Sequence, residues 1–299
     1  MGWSMQNEQM TQLMFAQGNL SPLLFFLLFL CVPLRFPSRS SAFKKNMNKW
    51  AILSGIEANL AAYEAVMEDI KRQGDRVEAL YILGDLVGPK PEAEKLVERV
   101  LNPPHGEFKP MICKGWWEEQ CFILHGLGPT GDAPELIAKY GGETVKLLWE
   151  CVSRQTVQWL RNLDFGFFEL DCLLIHGSTV GVDEELTPET PPIQMLDRLS
   201  RMQANNLFCG RSGLTFQYQL QTGSITTGLT TLDSQLPAQT VYVTPRQVIG
   251  VGNVGRTPGQ ATYTLYNPGT NQVEFKTVYY GNSKGFQSQR QVIESKFRV

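Results

Sequence analysis

The stretch WAILSGIEANLAAYEAV, residues 50–66, decides how the chain is read. Residues 50–54 form an apolar run that reads as a buried strand. A tight turn follows, and a helix opens at Asn59, a residue suited to N-capping. Leu60, Tyr63, Met67 and Ile70 then fall on one helical face, and Gly74 is expected to close the helix. A strand turning sharply into a helix is how α/β proteins build a loop at the carboxyl end of a strand, where sites gather. This loop holds little chemistry. Gly55 and Ala58 bring none, and Glu57 is its one reactive side chain.

Outward from this stretch the chain keeps alternating. Further strands are expected at residues 79–83, 110–114, 122–124, 172–175, 207–209, 240–243, 247–251, 261–266 and 273–280. Helices are expected at 91–101, with a proline and glutamates in the first turn, at 143–163 as the longest, and at 191–202. After Asn206 strands and Gly/Pro-rich turns take over. Early βα units followed by a β-rich half predict two packed sheets with helices outside.

Composition narrows the class. The chain of 299 residues is 42% apolar, enough for a sizeable core, and carries 27 basic against 29 acidic residues. A formal charge of -2 without a basic stretch argues against nucleic-acid binding. Six scattered cysteines without a C-x-x-C pair read as reduced, buried thiols of a cytoplasmic protein. Cys113, Cys121 and His125 fit no zinc-finger spacing.

The N-terminus is a separate matter. PLLFFLLFLCVPL, residues 22–34, is apolar but shorter than the ~20 residues a spanning helix needs. No basic residue precedes it, so it does not read as a signal peptide. Residues 1–46 are read as an extension outside the fold, with a membrane tether oriented by Arg35, Arg39, Lys44 and Lys45 as the alternative. The domain is placed at 47–281 and a polar, loose tail at 282–299.

Collecting the strand-end loops gives SGIEAN, LGDLVG, CKGWWEEQ, IHGSTVG and CGRSGLTF. Asp85 follows an apolar strand and is placed to ligate a cation, or else to cap its own loop as an Asx-turn. His176 ends another strand, as a ligand or as a hydrogen-bonded core residue; His125, in a similar ILHG, shows how readily such a match arises. Glu57 and Glu118 are the acids able to join them.

The order of these loops resembles the calcineurin-like metallophosphoesterases, in particular the small bacterial phosphoesterase and diadenosine-tetraphosphatase-like branch. The family's blocks D-x-H-G-N, G-D-x-x-G, G-N-H-D/E, H-G and G-H-x-H fall in order on this chain. They match Gly55–Asn59, Gly84–Gly88, Gly115–Glu118, His176–Gly177 and Gly210–Gly213. NLAAYEAV, LTPETPP and VGNVGRTPGQATYTLYN are similar to family segments as well, and LTPETPP selects His176 over His125. The resemblance implies a four-layer α/β/β/α sandwich of two mixed sheets. It also implies two divalent metals on seven side chains, activating a water that attacks phosphorus.

Those seven positions are Gly55, Glu57, Asp85, Trp116, His176, Arg211 and Gly213 here, and the family's catalytic histidine is replaced by Trp117. Only Asp85 and His176 keep the family's ligand. Glycine has no side chain to donate, an indole offers an N–H but no lone pair to a metal, and Arg211 brings a permanent cation able to pair with Asp85 or Glu57 instead. No catalytic residue is therefore assigned, and no cofactor is expected. The reading is a pseudo-phosphoesterase with a binding or regulatory role toward an unknown protein or small molecule. Trp116, Trp117, Glu118 and Arg211 would line its cleft, unless the two indoles simply fill the vacated space. Two alternatives stand beside it. One is a residual hydrolase holding one manganese, magnesium or iron on Asp85, His176 and Glu57. The other is a structural or assembly subunit tethered to a membrane through residues 22–34.

Overall fold

In a computed structural model, residues 48–73, 77–127, 134–221, 223–230, 235–243 and 245–281 are described. The expectations for residues 1–46, for Gly74 and for the tail at 282–299 lie outside them.

The opening strand β1 (Lys49–Leu53) is buried along its whole length, as a strand covered on both faces must be. Asn59 caps helix α1 (Leu60–Arg72), its side-chain oxygen accepting from Ala62 N at 3.1 Å. Then come β2 (Val77–Leu83), α2 (Ala93–Leu101) and the short β3 (Met111–Cys113). Strands β1, β2 and β3 are parallel neighbours. Late strands β11 (Gln260–Asn267) and β12 (Gln272–Tyr279) return antiparallel to complete the order β12-β11-β1-β2-β3. The second sheet has the order β4-β5-β6-β10-β7, from β4 (Gly166–Glu169), β5 (Cys172–Ile175), β6 (Asn206–Cys209), β7 (Thr215–Leu220) and β10 (Arg246–Val251). Its inner strands β5, β6 and β10 are parallel, with antiparallel strands at both edges. A separate ribbon, β8 (Gly223–Thr230) with β9 (Gln235–Val243), joins β7 to β10.

The sheets stack on a shared core of Trp50, Ile52, Tyr81 and Leu83 from the first and Leu174, Phe208, Ile249 and Val251 from the second. Tyr266 links them, its ring 5.6 Å from Trp50 and 4.8 Å from Phe208. Outside the first sheet pack α1, α2, α3 (Trp116–Leu124) and α6 (Arg154–Arg161). Outside the second, Met195 and Leu199 of α7 (Pro192–Arg201) cover Leu173, Leu207 and Val248. The result is the expected four-layer α/β/β/α sandwich.

Three local expectations are corrected. Residues 122–124 are the last turn of α3, not a strand. That helix starts where Glu118 accepts from Gly115 N at 2.7 Å, and Cys121 and Phe122 are buried on one of its faces. The helix expected over 143–163 is two, α5 (Gly142–Cys151) and α6. Val152 is extended between them, and Ser153 restarts the helix by accepting from Thr156 N at 3.2 Å. A preceding helix α4 (Pro134–Tyr140) and strands β4, β7 and β8 were not expected from the pattern.

The long loop between β5 and α7 is pinned by Glu184. Its carboxylate accepts from Arg198 Nε at 2.7 Å and Nη2 at 2.6 Å, from Gln194 Nε2 at 2.9 Å, and from Ser178 Oγ. The Arg198 bonds in the first place hold its pKa down at about 2. A folded value below the unfolded one gives stability that is present above about pH 4.5 and lost as pH falls toward 2. Arg198→Ala is expected to flatten this acid-side loss in urea unfolding across that window; an unchanged profile would refute the pinning role. Asn59 also donates to Tyr280 Oη at 2.8 Å and Gly255 O at 3.2 Å. Asn59→Ala is expected to cost about 1–2 kcal/mol in a urea titration.

Candidate functional site

Six strands, three parallel ones in each sheet, deliver loops to one end of the molecule, and backbone hydrogen bonds knit these loops together. Glu57 N donates to Asp85 O at 2.8 Å, Arg211 N to His176 O at 2.8 Å, and Val254 N to Ser54 O at 3.0 Å. The second and third loops touch through their backbones. A Cβ on Gly84 would lie 2.4 Å from Gly115 Cα, so only glycines let these backbones touch. Glu57, Ala58 and Asp85 are held at φ of 49°, 56° and 52°, a left-handed conformation costly for non-glycine residues and found where surroundings over-determine the backbone.

Glu118 supplies much of that determination. Its fully buried carboxylate accepts four backbone N–H groups, from Asp85, Leu86, Val87 and Gly115, at 2.7–3.0 Å. Burial, and then the nearby charge of Asp85, push its pKa up to about 7 against the pull of those donors. Glu118 is thus a clamp on the second loop, both of its oxygens taken by backbone N–H groups.

Asp85 and His176 do come together. Both are fully buried, with His176 Nε2 3.3 Å from Asp85 Oδ1, though without the alignment of a hydrogen bond. His176 Nδ1 lies 2.8 Å from Leu83 O and can only donate there, so the neutral ring presents a lone pair at Nε2. Burial holds the imidazole below its ordinary pKa. Burial pushes Asp85 up, but the charge of a protonated His176, the Arg256 guanidinium and the Trp117 N–H outweigh it and hold the carboxyl low. Since His176 favours its neutral form, Arg256 is the constant cation of the pair.

Arg256 was not among the residues singled out in the sequence. It lies in the loop between β10 and β11, and it reaches across the site. Nη2 donates to Asp85 Oδ2 at 2.7 Å, Nε to Glu57 Oε1 at 2.7 Å, and Nη1 to the Arg211 carbonyl at 2.8 Å. Glu57 therefore joins Asp85 through a guanidinium; burial raises its pKa and Arg256 offsets only part of that. A Cβ on Gly55 would meet Arg256 Nε at 3.1 Å, and one on Gly213 would meet Nη1 at 2.7 Å. Side chains at these two positions would crowd the guanidinium and make it shift.

Arg211 has a different partner from the one expected. It packs over the Trp116 ring at 4.6 Å and lies 3.4 Å from Glu185, and it forms no ion pair with Asp85 or Glu57. Trp116 and Trp117 are buried edge-to-face at 4.9 Å, with Tyr140 of α4 against both at 5.7 and 5.1 Å. Cys113 and Cys121 are buried in separate apolar clusters, and the five described cysteines are free thiols.

The residues do not fit a divalent metal pair. Both Asp85 oxygens accept from protein N–H groups, since Oδ1 takes Trp117 N at 2.9 Å. Among the described residues no group of three or more His, Cys, Asp or Glu side chains is placed to hold a metal ion.

No family model and no curated protein matches the chain. Solved structures do. A hypothetical protein from Pyrococcus horikoshii OT3 is 21% identical with a TM-score of 0.57, over 83% of this chain and 94% of that one. A metallophosphoesterase from Sphaerobacter thermophilus is 20% identical with a TM-score of 0.52, over 82% and 94%. The chain therefore has the calcineurin-like metallophosphoesterase fold. Among the described residues no helix is long and apolar enough to cross a membrane, and residues 22–34 are not among those described.

Arg256→Ala leaves a buried carboxylate facing a cavity, and is expected to cost about 3 kcal/mol in urea unfolding. Asp85→Asn in that background is expected to recover part of the loss, because the uncompensated charge is gone. Additive effects of the two substitutions would refute the coupling.

Proposed function

We propose that this protein is a pseudo-phosphoesterase, a metallophosphoesterase-fold chain that no longer hydrolyses phosphoesters and works by binding. One observation carries the reading. The Arg256 guanidinium forks between Asp85 and Glu57 and fills the space that side chains at Gly55 and Gly213 would need. Phosphoester hydrolysis on this fold depends on metals that activate water and polarise phosphoryl oxygens. A guanidinium has no vacant orbital for either task. It is a pure donor with a fixed charge, and it satisfies the carboxylates in the way a cation would.

The surroundings support the same conclusion. Trp116, Trp117 and Arg211 are buried against one another rather than lining an open cleft, so partner recognition is assigned to the outer surface. A protein or small-molecule partner and a reducing, cytoplasmic setting are part of the proposal; the free thiols of all five described cysteines support the latter.

The test is metal content and phosphodiester hydrolysis of the full chain, expressed with manganese and compared with a chelated control. The expected result is no bound metal above the control, and no cleavage of bis(p-nitrophenyl) phosphate above that of Asp85→Ala. About one metal per chain, lost on Asp85→Ala or His176→Ala, would overturn the reading in favour of a single-metal hydrolase.

A further inference from the structure

At the other end of the second sheet, away from the loops just described, lies a cavity of about 300 Å³. It sits where β5, β6 and β10 begin and β7 ends, at the root of the β8–β9 ribbon. Six of its ten lining residues carry side-chain amides, which is unlike the predominantly apolar lining of most small-molecule pockets.

Its floor is a fixed polar chain. Gln247, 5% exposed, donates from Nε2 to Asn206 Oδ1 at 2.6 Å and to Asn271 Oδ1 at 2.8 Å, and accepts from Gln217 at 2.7 Å. Asn206, 3% exposed, donates onward to Asp171 Oδ1 at 3.2 Å, and Asn205 donates to Asp171 Oδ2 at 3.0 Å. These bonds assign the orientation of each amide and leave none of the floor free to rotate. Buried amides gain little stability over apolar residues of like size, since each must be fully paired to offset its desolvation. What such a network provides is pre-placed donors and acceptors.

One element of the wall is incomplete. Among the described residues Arg246 is the only cation lining the cavity; it donates from Nη1 to Ser200 Oγ at 2.8 Å, its Nε is buried away from the cavity, and its Nη2 makes no hydrogen bond to a described residue. Among the described residues it makes no ion pair. A guanidinium with spare donors beside a cavity calls for a planar acceptor, and a carboxylate accepts two parallel N–H bonds from it. The Asp171 charge on the same cavity weighs against a phosphate dianion and in favour of a singly charged group. Amides and Asp171 together suit hydroxyls, which both donate and accept.

We infer that this cavity is a binding site for a small polyhydroxylated carboxylate, of the sugar-acid class, with Arg246 taking the carboxylate and the amide floor taking hydroxyls. The site is independent of the Arg256 centre and does not require the pseudo-phosphoesterase reading.

The experiment is titration calorimetry of the full chain with glucuronate, glucose and glucose 6-phosphate, alongside amide side-chain NMR spectra. Glucuronate is expected to bind saturably, at least about tenfold more tightly than glucose, and to move Asn and Gln side-chain resonances of the wild-type chain. Arg246→Gln is expected to remove that preference without altering thermal unfolding. Equal or absent binding of glucuronate and glucose would overturn the assignment. So would tighter binding of the phosphorylated sugar, or a glucuronate preference that survives Arg246→Gln. Should Arg246→Gln fail to fold, the wild-type resonance shifts decide alone, and their absence rejects the site.

Discussion

A carboxylate with no exposure to solvent needs donors or a countercharge in place of water, and Asp85, fully buried, has both. The loops at this end of the molecule are arranged around that requirement. Asp85 donates its backbone N–H to Glu118 and accepts at Oδ1 from Trp117 N, both of the neighbouring loop, and its charge is answered by Arg256. The ion pair is a weak source of net stability, because desolvating both groups consumes most of the attraction. Breaking it is costly all the same, since one charge would remain buried alone. The arrangement is held by the penalty for taking it apart.

The same guanidinium has a structural consequence. Its three contacts reach the loop after β1, the loop after β2 and the loop after β6, so one side chain touches both sheets. Hydrogen bonds from this single arginine connect the loops of the two sheets, with geometry set by the planar fork. Glycines at 55 and 213 belong to this solution, because a side chain at either position would displace the fork.

Much of the fold was legible in the sequence because it rests on local signals. The fully apolar strand before Gly55, the Asn59 cap and the Gly-Asp turn at 84–85 each carry a mechanism that a single chain displays. Glu57, Asp85 and His176 were placed by the same rule, and the structure does bring Asp85 and His176 to 3.3 Å. Arg256 obeyed that rule as well: a strand over 247–251 was expected, with Gly252 directly after it. Its loop carries no block of the family pattern, whereas Arg211 stands at one of the ligand positions and is the more conspicuous cation. The division of residues 143–163 into two helices was less accessible. Ser153 is a capping residue, but its restart depends on an extended Val152 that apolar periodicity does not reveal. Residues 122–124 misled because a short apolar run fits a strand or a helix equally well, and the Glu118 clamp that decides between them is a contact in space.

Arg256 also constrains position 55. Any side chain there would set its Cβ 3.1 Å from the guanidinium, on a backbone at φ +58° that L residues rarely adopt. Removing Arg256 alone would strand Asp85 without its cation. Substitutions at positions 55 and 256 are therefore coupled: what either position accommodates depends on the residue at the other.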